Sequence, residues 1–144
     1  MPLADNVQAL AEITEPDSAP PAKGLRVLCI DNEDSILVGM DSLLSRWGMQ
    51  VWTARNQLEC EHLLDEGVNP QLVLVDYHLD EGETGTGLMS WLRQRLGDQL
   101  SGVVISADAR PELIAQVQAA GLDYLAKPVK PAALRALLNR YPAD

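Results

Sequence analysis

From residue 25 onward, short apolar runs alternate with stripes of apolar residues at helical spacing. Five runs predict strands: Arg26-Val27-Leu28-Cys29-Ile30, Gln50 to Ala54, Leu72-Val73-Leu74-Val75-Asp76, Gly102 to Ser106 and Leu122 to Ala126. The third is the clearest. Its apolar residues have no helical period and are closed by one carboxylate and the polar loop Tyr77-His78-Leu79-Asp80-Glu81-Gly82, which describes a strand covered on both faces.

Between the strands the spacing predicts helices. Asp34 can cap the first, whose stripe is Ile36, Leu37, Met40, Leu43, Leu44 and Trp47 before Gly48. Asn56 with Glu59 forms a capping-box pattern for a second, carrying Leu58, Leu63 and Leu64 and ending at Gly67. The third runs from about Gly87 to Leu96 on Leu88, Met89, Leu92 and Leu96. The fourth starts at Pro111, carries Leu113, Ile114 and Val117, and reaches Gly121. Pro131 opens the last, with Leu134, Leu137, Leu138 and Tyr141, and Pro142 follows it. Strand and helix in strict alternation predict a parallel sheet with helices on both faces.

The first 24 residues differ in character. The stretch from Glu15 to Gly24 is rich in Pro, Ala and acid and predicts a linker, preceded by Val7, Leu10, Ala11 and Ile13, which are too few to form a stable helix alone. The domain is therefore expected over 25–141, behind a linker at 1–24 and before a tail at 142–144.

With 47% apolar residues the chain can build a core, and its net charge of -10 with eleven scattered basic residues argues against nucleic-acid and anionic-membrane partners. Cys29 and Cys60 lie in apolar patterns without metal spacing, which predicts reduced packing residues. With no leader-like segment or membrane-length apolar run, this points to the cytoplasm.

Chemistry enters at the strand ends. Strand one is followed by Asp31-Asn32-Glu33, strand three ends on Asp76, strand four on Ser106, and strand five leads into Lys127. A parallel sheet brings these to one edge, where open α/β folds place their ligand crevice. Acids close together resist joint ionisation unless a cation sits among them, and oxygen ligands without soft donors suit Mg²⁺. The lysine and hydroxyl then suit phosphoryl oxygens, and Asp76 suits a nucleophile that accepts a phosphoryl group as an acyl phosphate.

This constellation resembles the receiver domain of the two-component response regulators over about Leu25 to Tyr141. Ile30-Asp31-Asn32-Glu33 resembles the family's acidic cluster, Val75-Asp76 its phosphoacceptor, Ile105-Ser106-Ala107 its hydroxyl switch and Leu125-Ala126-Lys127-Pro128 its lysine-proline pair, with Tyr124 at its aromatic switch position. The resemblance implies a flavodoxin-like (βα)₅ doubly wound parallel sheet in strand order 2-1-3-4-5. It implies phosphoryl transfer from a phosphohistidine with Mg²⁺ or Mn²⁺, with a histidine kinase or histidine-phosphotransfer protein as partner and output through helix four, strand five and helix five. Asp31, Asn32, Asp76 and the backbone carbonyl of His78 are the implied metal ligands, and Glu33, His78 and Asp108 are candidate modulators.

Two positions depart from the family pattern. Asn32 stands where a second aspartate is usual, which removes one negative charge and predicts weaker Mg²⁺ binding. The loop Asp80-Glu81-Gly82-Glu83-Thr84-Gly85-Thr86-Gly87 is longer and more acidic than the common proline-containing form.

Plainer roles compete at several positions. Glu33 suits solvent or a helix cap better than metal, His62 suits the surface, and Trp47, Trp52 and Trp91 suit packing or partner contact. Tyr124 suits either core or switch. A pseudo-receiver that binds without phosphorylation has Asn32 as its support. An aspartyl-nucleophile phosphatase would want an acid where His78 stands, and a flavodoxin would want a Ser/Thr/Gly loop where Asp31-Asn32-Glu33 stands. With no effector sequence after Tyr141, and with Asp-Asn-Glu and Asp-Tyr-His-Leu forms similar to hybrid kinases, the expectation is the carboxyl-terminal receiver of a hybrid histidine kinase, with a stand-alone single-domain regulator as the alternative.

Overall fold

A computed structural model describes residues 24–141. The expected linker, apart from Gly24, and the expected tail lie outside the described residues. The elements run β1 (Arg26–Ile30), α1 (Asp34–Arg46), β2 (Gln50–Ala54), α2 (Gln57–Asp65), β3 (Leu72–Asp76), a 3₁₀ turn (Asp80–Gly82), α3 (Gly85–Leu96), β4 (Ser101–Ser106), α4 (Pro111–Ala119), β5 (Asp123–Ala126) and α5 (Pro131–Leu138). All strand pairs are parallel, in the order β2-β1-β3-β4-β5. No helix among the described residues is long and apolar enough to cross a membrane.

Strand alternation divides the core into two layers. Leu28, Ile30, Val73, Val75 and Val104 pack on one face with residues of α2, α3 and α4, including Cys60, Leu88, Met89, Leu92 and Val117. Val27, Cys29, Leu72, Leu74 and Ile105 pack on the other with Leu37, Met40 and Leu44 of α1 and Leu134, Leu137 and Leu138 of α5. Central β3 is buried at every position, as its uninterrupted apolar run predicts, whereas edge strand β5 is half-exposed. Both cysteines are free and buried.

Side chains close several helix ends. Asn56 accepts the Glu59 N–H at the start of α2, but the Glu59 carboxylate accepts from Arg55 N–H rather than from Asn56, so the capping box closes one residue early. Thr84 accepts the Gly87 N–H, which starts α3 at Gly85, two residues before the expected position. The Arg93 guanidinium of α3 donates to the carbonyls of Leu100, Ala120 and Gly121 and so satisfies acceptors just past the end of α4.

Three expectations are corrected. Asp34 does not cap α1; it is the first helical residue, lies 3.7 Å from Arg55, and leaves Glu33 at the cap position without a side-chain cap bond. Leu58 is 60% exposed because it stands two residues, about 200°, from buried Cys60, which shares the inward face of α2 with Leu63 and Leu64. Ile36 is 38% exposed, at the rim of a groove of about 640 Å³ between α1 and the segment after β5, where it meets Met40, Leu43, Pro128 and Val129.

Gly39 is an exposed position of α1, where a Cβ would meet nothing within 4 Å beyond the helix's own local backbone. Gly39→Ala is expected to stabilise the domain by about 0.5–1 kcal/mol by removing backbone entropy from the unfolded chain, measured by urea denaturation.

Candidate functional site

Parallel pairing carries the carboxyl ends of β1, β3, β4 and β5 to one edge. The register sets Ile30 beside Val75, Asp76 beside Ile105 and Ser106 beside Ala126, so the next residues out of each strand face one crevice. Asp31, Asp76 and Ser106 are the buried polar residues of the described chain. Lys127, one residue past β5, extends its Nζ to 2.9 Å from Asp76 Oδ1 and 3.6 Å from Asp31 Oδ2. Four expected residues from four strands thus converge, and one ammonium serves both carboxylates.

Burial is the largest influence on Asp76 and raises its pKa. The hydrogen bond from Lys127 opposes this, and the charge of Asp31 adds to the rise, so the net shift is upward. Lys127 also shifts upward: burial acts against its charge, but the hydrogen bond it donates to Asp76 and the charges of Asp76, Asp31 and Glu33 outweigh it. The ammonium faces several carboxylates, whereas at Asp76 burial and the like charge of Asp31 outweigh Lys127 and His78.

Each neighbour of this pair is held by backbone. Asp31 Oδ1 accepts the Glu33 N–H at 2.9 Å, which orients the carboxyl at the foot of α1. Ser106 Oγ accepts the Asp108 N–H at 2.9 Å, and the Ser106 carbonyl accepts the Lys127 N–H, tying β4 to the base of the lysine. The half-buried Tyr124 packs its ring against the core, while its hydroxyl donates to the carbonyls of Asp108 at 2.7 Å and Ser106 at 3.2 Å. The Asp108 carboxylate is bound by Arg110, whose hydrogen bonds lower its pKa.

His78 is exposed, with its ring edge-on to Tyr77, and its charge acts on both Asp76 and Asp108. Glu33 is exposed at the α1 cap position, and its charge reaches Lys127. Asn32 does not turn to a carboxylate of the crevice with its amide nitrogen; Nδ2 donates to Asp80 Oδ1 at 2.9 Å.

The donor set is all oxygen. Asp31 and Asp76 lie near one ammonium, with an amide oxygen on Asn32 at the adjoining position, which fits a hard divalent cation held by one or two carboxylates and completed by water or phosphate oxygens. No cluster of three or more His, Cys, Asp or Glu side chains suited to a metal forms among the described residues.

Two residues of this region carry weight that their sequence pattern did not reveal. A Cβ on Gly85 would stand 2.6 Å from the Asp76 carbonyl oxygen and 3.2 Å from Tyr77 Cα, so the start of α3 lies directly against the backbone of Asp76. The sequence shows three glycines in this loop without distinguishing them; only Gly85 meets β3 backbone. The other is Asp80, whose bond to Asn32 spans 48 residues of chain.

Fold and crevice together define a flavodoxin-like parallel α/β domain with acids, hydroxyl and lysine at its strand ends. Residues 27–139 match the response regulator receiver domain, and the chain belongs to that family. A response regulator receiver protein from Pseudomonas putida is 27% identical, with 83% of this chain and 98% of that one covered and a TM-score of 0.71. The chemotaxis protein CheY4 of Vibrio cholerae is 23% identical over 81% of this chain and 98% of its own, with a TM-score of 0.72. A CheY-like receiver domain protein from Methanospirillum hungatei is 24% identical over 82% and 93%, with a TM-score of 0.71. Comparison with curated proteins gives no match.

Two substitutions probe this arrangement. Gly85→Ala must displace the backbone of Asp76 or α3 and is expected to destabilise by about 1–3 kcal/mol in urea denaturation. For Asp76 the folded pKa lies above the unfolded one. Its stability contribution is therefore most favourable below the unfolded pKa and declines as pH rises through the folded value. Metal-free Asp76→Asn should accordingly melt above wild type at neutral pH, with the gap closing as pH falls into the ordinary aspartate range. A lower neutral-pH melting temperature would mean that the Lys127 contact outweighs burial and Asp31.

Proposed function

We propose that the domain accepts a phosphoryl group from a phosphohistidine onto Asp76 and so acts as a phosphorylation switch. The observation that carries this is the Lys127 ammonium within 2.9 Å of Asp76 and 3.6 Å of Asp31 in a largely buried crevice, with buried Ser106 at the end of the next strand.

The ionised Asp76 attacks phosphorus; an O–P bond forms as the N–P bond breaks, and the imidazole nitrogen keeps the electron pair and takes up a proton. Lys127 turns from the carboxylate toward the new phosphoryl oxygens, whose charge replaces that of the acid it leaves. The Ser106 hydroxyl, whose oxygen accepts the Asp108 N–H, donates its own proton to the same oxygens. Asp31, Asp76, the Asn32 side-chain oxygen and the His78 carbonyl would hold Mg²⁺ or Mn²⁺, which when bound offsets the negative charge of the transferred group.

Because the Tyr124 hydroxyl is bonded to the carbonyls of Ser106 and Asp108, a shift of Ser106 releases or redirects it. This supports output through the α4, β5 and α5 face. Exposed His78 and Glu33 and the Arg110-bound Asp108 border the crevice and are placed to modulate it. The partner is a histidine kinase or a histidine-phosphotransfer protein, and the Asp31-Asn32-Glu33 and Asp76-Tyr77-His78-Leu79 forms support a hybrid-kinase setting.

Incubation with Mg²⁺ and a small phosphodonor should add one phosphoryl group by intact mass, absent in Asp76→Asn and with a chelator. Lys127→Ala should slow its formation by about 100-fold. No adduct from the small donor or from phosphorylated kinases would make the domain a binding module without phosphorylation.

A further inference from the structure

We propose that Asp80 is a positioning residue for the cation site, acting through Asn32. The inference rests on the proposed function, since it assigns a role toward the cation that Asp31 and Asp76 would bind.

A carboxylate only accepts hydrogen bonds, so the end of Asn32 that meets Asp80 is its NH₂ group whatever the rotation of the amide. The Asn32 carbonyl oxygen is then the end left for a cation. Asparagine at this position would otherwise be free to present either end. Its NH₂ group would repel a cation, whereas its oxygen would bind one. Holding Nδ2 at 2.9 Å removes that choice, and it does so with a negative charge, which polarises the amide and strengthens its oxygen as a donor.

The loop is built to hold Asp80 there. Leu79 is buried beneath it, the Leu79 N–H donates to the Glu83 carbonyl, and the Glu83 N–H donates back to the Asp80 carbonyl, closing the 3₁₀ turn Asp80–Gly82. Gly82 takes a φ of 77°, which suits glycine and lets the turn reverse. His78 and Thr84 form an antiparallel bridge at the base, and the Gly85 N–H donates to the Tyr77 carbonyl at 2.8 Å. The loop departs from the base of Asp76 and returns to it, carrying its first acid over Asn32. The amide at position 32 is thus bonded directly to a carboxylate, that of Asp80.

The test is a double-mutant cycle read by Mg²⁺ titration calorimetry on unphosphorylated protein, a readout independent of phosphotransfer. Asp80→Ala should weaken Mg²⁺ binding by about tenfold, as loss of an outer partner of a metal ligand does. In the Asn32→Asp background there is no amide left to orient, so Asp80→Ala should cost markedly less, leaving only the small loss expected of a nearby surface charge. Circular dichroism and thermal melts should show all variants folded, since Asp80 is exposed.

Equal affinity of wild type and Asp80→Ala overturns the proposal and leaves the proposed function standing. The same loss in both backgrounds also overturns it, because Asp80 would then act as a general surface charge. Wild type that binds no Mg²⁺ and takes no phosphoryl group overturns both.

Discussion

The structure turns on one ammonium group shared between two buried carboxylates. Asp31 and Asp76 leave adjacent strands at the same edge and repel each other; Lys127, arriving from the far side of the sheet, is the nearest opposite charge for both. The strand order makes this possible. With β1 and β3 adjacent and β5 beyond β4, the acids stand together and the lysine spans back over Ser106 to reach them. A change in order would leave the acids uncompensated in a low-dielectric crevice, where unpaired charge is costly.

Compensation is incomplete, and that incompleteness gives the site its chemical character. Burial and Asp31 together outweigh Lys127 at Asp76, so the carboxyl is held in a state that additional positive charge would relieve. The surrounding framework is rigid where it meets this residue. Gly85 lies against its carbonyl, β3 is buried throughout, and Tyr77 N–H is paired with Ile105. On the β4 and β5 side, buried Ser106 and the half-exposed Asp108 and Tyr124 are linked through hydrogen bonds to backbone groups.

Much of this was legible along the chain. The strands and helices followed from period, and the strand-end residues followed from parallel topology. The errors were errors of phase and partner. Leu58 stands five residues before Leu63, a step that turns α2 by about 140°, and Cys60 is the residue in phase with Leu63 and Leu64. Asp34 matched a capping composition, yet the Asp31 carboxyl had already engaged the Glu33 N–H and the chain entered the helix one residue sooner. Ile36 lies in the apolar stripe of α1 but opens onto a groove that no other described element fills.

The amino-acid sequence by itself determined the βα alternation, the double covering of β3 and the residue types at each strand end, because these depend on local period and composition. Only the tertiary structure decided which of those groups meet and at what distance. It set the sharing of Lys127, the approach of Gly85 to Asp76, the anchoring of Tyr124 and the pairing of Asn32 with Asp80. Each joins residues separated along the chain, and side-chain hydrogen bonds act over a few ångströms, so their partners exist only once the sheet order and loop path have brought them together.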